Sequence, residues 1–261
     1  MKKWLIAILS IVMGSMLLAG CASDKKASAG EGKQTEKQKE FHFAMSGLYK
    51  PFNFKENGQL VGFDVEIGQA LADKMNMKAV PVTNPWETII QGLISKKYDA
   101  ILGSMAITPE REQTVSFTTP YYNSGAQIFV ANTNNSIKSV EDLKGKKLGV
   151  LKASTFKELA TKQTDKITEY DSDLTALMDL PSGRVDAVIT DDLVGFRMMK
   201  ESSVAIKEIG EPLTLSKAGI AVRKEDKELL DKLNKALADI IKDGTYEKIS
   251  QKWFGKSILR K

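Results

Sequence analysis

Three kinds of group in this 261-residue chain could act together, and the chemistry they suggest is recognition of a carboxylate and an ammonium on one small molecule. Arg111 stands just after a helix start at Thr108-Pro109, where a planar, permanently charged fork can grip a carboxylate through two parallel hydrogen bonds. Ser154-Thr155 opens another helix, and the unpaired N–H groups and positive dipole end of such a start suit the same anion. An ammonium needs a fixed anion. Asp191, following a predicted strand at 185–189, is placed for that, with Asp192 expected to cap the next helix and leave Asp191 free. Tyr49 and Trp86 are candidate aromatic walls around a side chain. Each group also has a plainer reading: arginine as solvated surface, aspartate as a helix cap, the aromatics as core.

Other chemistries have little to work with. The one histidine, His42, lies in the first predicted strand and reads as structural, so neither a Ser-His-Asp triad nor a histidine-rich metal site is supported. The one cysteine, Cys21, allows no internal disulfide and no cysteine-built metal site. No phosphate-cradling glycine loop is present, and no cofactor or metal is expected. The net charge of +5 comes from lysines scattered at helix-surface spacing and in one tail, which argues against a nucleic-acid partner.

The elements that must position these residues alternate. Phe41, Phe43 and Met45 have the period of a half-buried strand. Asp64 is expected to cap a helix with Ile67, Ala70, Leu71 and Met75 on one face. Residues 78–82 read as extended, and Asn84-Pro85-Trp86-Glu87 as a helix start with proline at its first position. Strands at 99–102, 147–151, 167–170, 185–189 and 219–222 are interleaved with helices at 155–164, 174–180, 193–200 and 226–242, and a short capped helix is expected at 139–144. Such alternation predicts an α/β fold with mainly parallel sheets covered on both faces. A five-residue echo, Lys97-Tyr98-Asp99-Ala100-Ile101 and Arg184-Val185-Asp186-Ala187-Val188, points to two lobes of similar build. Both echoed strands run out to polar ends, Gly103-Ser104 and Thr190-Asp191, and ligands of open α/β sheets sit beyond the carboxyl ends of strands.

The N-terminus carries its own signal. Lys2 and Lys3 precede an apolar run ending in Leu18-Ala19-Gly20-Cys21. A charged region, a short apolar stretch and small residues before a cysteine read as a signal peptide (1–20) with a lipobox, Cys21 being the residue that takes lipid. Acyl chains on Cys21, diacylglycerol with or without palmitate, would tether the protein to the cell membrane on its extracytoplasmic face. Residues 22–40 lack large apolar side chains and are expected to be a flexible tether.

The segments Tyr49-Lys50-Pro51-Phe52, Gly62-Phe63-Asp64-Val65, Ile107-Thr108-Pro109-Glu110-Arg111, Phe117-Thr118-Thr119-Pro120-Tyr121-Tyr122, Gly183-Arg184-Val185-Asp186-Ala187 and Asp243-Gly244-Thr245-Tyr246 together resemble the polar amino-acid family (family 3) of extracellular solute-binding proteins of bacterial ABC transporters. The resemblance covers nearly all of 41–254. It implies a two-lobed periplasmic-binding-protein-like fold (type II), with lobe 1 at 41–124 plus 219–256, lobe 2 at 125–218, and a hinge of two crossover segments. It further implies that Arg111 and main-chain groups of Ser104 and Thr155 hold a ligand carboxylate, that Asp191 takes the ammonium, and that Tyr49 and Trp86 flank the side chain. Gly103 and Ala106 stand where several relatives have serine, so a carbonyl at Gly103 is left to meet the ammonium. Ser46 replaces an aspartate frequent in cation binders, which favours a neutral or zwitterionic polar amino acid, and Phe156 adds an apolar surface at the mouth. The expected activity is uptake, without catalysis: a monomer passing an amino acid to permease and ATPase subunits. A cyclohexadienyl-dehydratase-like enzyme on the same fold is the alternative, and surface adhesion or sensing a third reading.

Overall fold

The computed structural model describes residues 38–201 and 204–259. The signal peptide, Cys21 and the tether as far as residue 37 lie outside them. Among the described residues no helix is long and apolar enough to cross a membrane.

Along the chain come β1 (Glu40–Met45), β2 (Leu48–Tyr49), β3 (Asn53–Glu56), β4 (Gln59–Val61), α1 (Phe63–Lys74), β5 (Lys78–Thr83), a 3-10 turn (Trp86–Thr88) leading into α2 (Ile89–Ile94), β6 (Ala100–Ala106), α3 (Pro109–Thr114), β7 (Val115–Phe117) and β8 (Tyr122–Ala131). A second 3-10 turn (Val140–Leu143) follows, then β9 (Leu148–Leu151), α4 (Thr155–Thr161), β10 (Ile167–Tyr170), α5 (Asp173–Met178), β11 (Ala187–Asp191), α6 (Asp192–Glu201), β12 (Ile206–Arg223), α7 (Lys227–Lys242) and α8 (Thr245–Phe254).

Nine strands share one sheet in the order β10-β9-β11-β8-β12-β6-β1-β5, with β7 also on β12. The flanks pair in parallel, β5 and β6 on β1 and β10 and β11 on β9. The centre is antiparallel: the long β8 and β12 pair with each other, and each pairs onward to one flank. Together these two strands form a ribbon joining the flanks of a two-lobed α/β fold, so both connections between halves are continuous backbone ladder.

Each half builds its strand start in the same way. Asp99 accepts the N–H of His42 at 2.8 Å and Asp186 accepts the N–H of Lys147 at 2.8 Å, while their own N–H groups bond back to the carbonyls of the same two residues. The echoed Lys/Arg-x-Asp-Ala sequences are thus one device used twice, an aspartate tying β6 to β1 and another tying β11 to β9. The His42 ring stays at the surface beside Glu40, in keeping with a structural residue. Helices close on the sheet where glycine permits: a Cβ at Gly68 of α1 would lie 2.3 Å from the Phe43 ring, and one at Gly195 of α6 1.9 Å from the Phe129 ring.

Two expected helix starts differ. Asp64 does not cap α1; Gly62 holds the cap position, and Asp64 is fully buried in the first turn. The proline of Asn84-Pro85 sits at the cap rather than the first helical position, and regular helix begins only at Ile89. The Asn84 side chain donates to the Pro85 carbonyl and to Thr88 Oγ1, a local alternative to capping that holds the chain in a tight turn. At Thr108 and Ser154 the expected caps form, their hydroxyls accepting the N–H groups of Arg111 and Lys157. Ser139 makes a capping box with Asp142, but the turn it opens is 3-10.

Candidate functional site

Between the flanks lies a cavity. All nine candidates line it: Tyr49 from β2, Trp86 from the 3-10 turn, Gly103, Ser104 and Ala106 from the end of β6, Arg111 from α3, Ser154 and Thr155 from the start of α4, and Asp191 from the end of β11. The convergence follows from topology, because β6 and β11 end on the same side and the helix starts that follow strands must lie there too. Ser46 and Phe156 complete the reading made from sequence.

Five further lining residues, Tyr122, Ser124, Leu151, Ser216 and Ala218, were missed. Four are one pattern: Tyr122 and Ser124 alternate along β8, Ser216 and Ala218 alternate along β12, and the register sets Ser216 opposite Ser124 and Ala218 opposite Tyr122. Residues two apart on a strand share a face, so the ribbon joining the halves is also a wall of the cavity. Period-two alternation was the available signal, but the pairing of β8 with β12 was not.

Arg111 is the cation of the lining. Its Nη1 donates to the Ala106 carbonyl at 2.9 Å, and its guanidinium lies 5.7 Å from the Trp86 ring centroid. Burial pushes its pKa down, and no carboxylate among the described residues is ion-paired with it. A carbonyl and an aromatic face relieve part of the desolvation of a cation, and the rest is left for an anion.

Asp191, also in the lining, is 3% exposed. Contrary to expectation it is itself the cap of α6: its Oδ1 accepts the Leu193 N–H at 2.9 Å, and Ser124 also bonds to it. Asp192 instead begins the helix and is buried. α6 follows β11 with no residue between them, so the first free N–H groups meet the residue at the strand end and not its successor. Burial, followed by the neighbouring charges of Asp192 and Asp173, pushes the Asp191 carboxyl up to about 7. No cation among the described residues pairs with it.

Ser104 also differs. Its backbone is left-handed, φ 60°, a strained conformation for a residue with a side chain. Its N–H, expected to face a ligand carboxylate, donates to Tyr121 Oη at 2.9 Å, and Tyr121 donates onward to Asp64 Oδ1 at 2.8 Å. Asp64 further accepts from Asn53 Nδ2 and Ser104 Oγ. Burial raises its carboxyl to about 6 against these three hydrogen bonds. This buried network fixes the strained turn of β6 beneath the cavity, and the Ser46 hydroxyl joins it through Asn53.

Contacts cross the cleft and hold it shut. Trp86 Nε1 donates to the Ala153 carbonyl at 3.2 Å, Ser172 Oγ donates to the Leu48 carbonyl at 3.2 Å, and Lys152 Nζ lies 3.7 Å from Glu87. Among the described residues no group of three His, Cys, Asp or Glu could hold a metal ion. The cavity lining thus includes a half-buried cation, a buried carboxyl and aromatic side chains.

Known proteins share this arrangement of chain. The L-cystine-binding protein TcyJ of Escherichia coli (strain K12) is 33% identical over 253 residues, covering 95% of each chain. An ancestral arginine-binding protein bound to glutamine superposes with a TM-score of 0.79 at 41% identity, covering 84% of this chain and all of that one. The ancestral amino acid-binding protein AncCDT-1, a precursor of cyclohexadienyl dehydratase, superposes with a TM-score of 0.77 at 36% identity over 82% of this chain and 95% of its own. With residues 41–256 matching the family as a whole, the chain belongs to the bacterial extracellular solute-binding proteins, family 3.

Proposed function

We propose that this chain is the extracytoplasmic, lipid-anchored substrate-binding protein of an amino-acid ABC importer, a monomer that closes on a polar amino acid and delivers it to a permease. One observation carries the reading: a half-buried guanidinium without an ion-paired anion and a buried carboxyl without a cation line the same cavity. Uncompensated charges are expensive to bury, and an α-amino acid supplies both counter-charges at once. In this reading Arg111, with the Thr155 helix start, takes the carboxylate, Asp191 takes the ammonium with the Gly103 carbonyl beside it, and Tyr49, Trp86 and Phe156 flank the side chain. Lobe 1 is 41–124 plus 219–256 and lobe 2 is 125–218, so closure brings Arg111 and Asp191 to one ligand. Names among the similar proteins include cystine, arginine and glutamine as ligands.

Calorimetry of the ligand-stripped protein against the common amino acids and cystine tests this, with tight binding of at least one expected and no heat with any of them refuting it. The dehydratase alternative predicts turnover of arogenate or prephenate, whereas a receptor returns its ligand unchanged. For the anchor, Cys21→Ala should move the protein from the membrane to the soluble extracytoplasmic fraction; an unchanged membrane fraction would show that the apolar run does the holding.

A further inference from the structure

A second, more open chamber adjoins the first along the cleft. The two share Ser46, Trp86 and Leu151 as walls. We propose that the ligand spans both: it is a double-headed amino acid, whose side chain ends in a second α-amino acid head carrying its own carboxylate and ammonium. The proposal rests on the inner cavity being an amino-acid site and goes on to name the substrate class.

The charges of the outer chamber are the reason. Lys55 and Glu87 face it from one side of the cleft, Lys152 and Asp171 from the other. Lys152 Nζ bonds Asp171 Oδ1 at 2.8 Å and reaches Glu87 only at 3.7 Å, while Lys55 has no ion-pair partner among the described residues. Two cations and two anions therefore surround the space, repeating in looser form the single pair of the inner cavity.

Three kinds of side chain can be compared against that surround. A guanidinium or ammonium finds no carboxylate at the passage, because Ser46 is neutral and its hydroxyl is engaged by Asn53, and beyond the passage Glu87 and Asp171 are already shared with Lys152 while Lys55 repels it. A neutral side chain long enough to enter leaves Lys55 without a counter-charge. A head with both signs meets Lys55 and Lys152 with its carboxylate and Glu87 and Asp171 with its ammonium. Specificity here is a difference between heads, gained by matching one and repelling another. The outer charges are exposed and screened, so the gain is expected to be modest beside that of the inner pair.

The test is titration calorimetry of the full mature protein with L-cystine and L-cystathionine as double-headed probes, and L-glutamine, L-methionine and L-arginine as single-headed ones. Both double-headed compounds should bind at least tenfold more tightly than any of the three others. In the double variant Lys55→Ala/Asp171→Asn that ratio should fall several-fold, with the loss confined to the double-headed compounds. Arginine or glutamine binding as tightly as the double-headed probes overturns the proposal while leaving the amino-acid reading intact, and so does a ratio the double variant does not move. No binding of any of the five overturns both. The wild-type ratio needs no variant, so a poorly folding double variant does not shelter the idea.

Discussion

The two halves of the sheet start alike and finish differently. Asp99 and Asp186 make the same two-way bond to the neighbouring strand, 2.8 Å in each case, and β6 and β11 then run to the same cavity. At the end of β6 the charged group is carried on by a turn and a short helix to Arg111, half-buried, with a carbonyl and an indole face as company. At the end of β11 the charge is Asp191 itself, almost fully buried, capping α6 among other carboxylates. The guanidinium is permanently charged and must be stabilised as a cation. The carboxyl has another escape, since it can take up a proton. The cavity thus holds one fixed charge and one conditional one.

The sharpest way to break this comparison is at the fixed charge. Arg111→Ala should weaken amino-acid binding by about 2–5 kcal/mol, the range for removing one member of a buried charge pair, as measured by calorimetry. Arg111→Lys should recover little, because a point charge does not replace the planar fork. Binding within a few-fold of wild type would return Arg111 to the solvated surface.

Next in size is Asp191→Asn. Asparagine caps helices about as well as aspartate, so the Leu193 contact survives and the unliganded melting temperature should stay near wild type. Saturating ligand, which at a hundredfold excess over the dissociation constant adds about 2.7 kcal/mol to a protein that binds it only when folded, should raise the wild-type melting temperature by a few degrees and the variant's hardly at all. A large drop in unliganded stability with near-native affinity would make Asp191 a cap and nothing more.

The conditional charge should also show in pH. The Asp191 carboxyl sits at about 7 in the folded protein, above the roughly 3.9 of an unfolded chain. The folded state therefore holds the proton more tightly, and the stability this group contributes to the empty protein is present at acid pH and lost as pH rises from about 4 through about 7. Asp64 and Asp173, both raised to about 6 by burial, act with the same sign. Ligand binding runs the other way, because an ammonium needs the ionised form: affinity should be full above pH 7 and fall about tenfold for each unit below it. Calorimetry between pH 5 and 8 should show that slope in wild type and a flatter one in Asp191→Asn. A flat wild-type profile would mean that Asp191 is ionised without ligand.

The smallest effect is expected at the latch. Trp86→Phe keeps an aromatic face for Arg111 but removes the Nε1 bond to the Ala153 carbonyl, which should weaken binding by about 1 kcal/mol, a typical net hydrogen-bond contribution. No change would mean that the cleft closes without this contact.

By itself the sequence determined the local grammar of the chain. Caps at Thr108 and Ser154, the alternation of strand and helix and the repeated strand-start aspartate are written in nearest-neighbour chemistry, a hydroxyl reaching an N–H three residues on or a side-chain period of two. Of the residues that line the cavity, Arg111, Ser154, Thr155 and Asp191 were legible because strand ends and helix starts are local features, and because topology sends them to one side; Ala106 came only with the family resemblance. Only the tertiary structure decided which of them keep a free hydrogen-bonding group. Ser104 gives up its N–H to Tyr121, Asp191 takes over the capping that seemed to belong to Asp192, and Asp64 leaves its expected cap to anchor a buried network. The same holds for the ribbon of β8 and β12, whose alternating Tyr122, Ser124, Ser216 and Ala218 become a cavity wall only when strands about ninety residues apart in the chain pair in register. Hydrogen-bond partners distant in sequence compete with local ones on equal terms in energy, and the winner is set by where the packed fold brings each group.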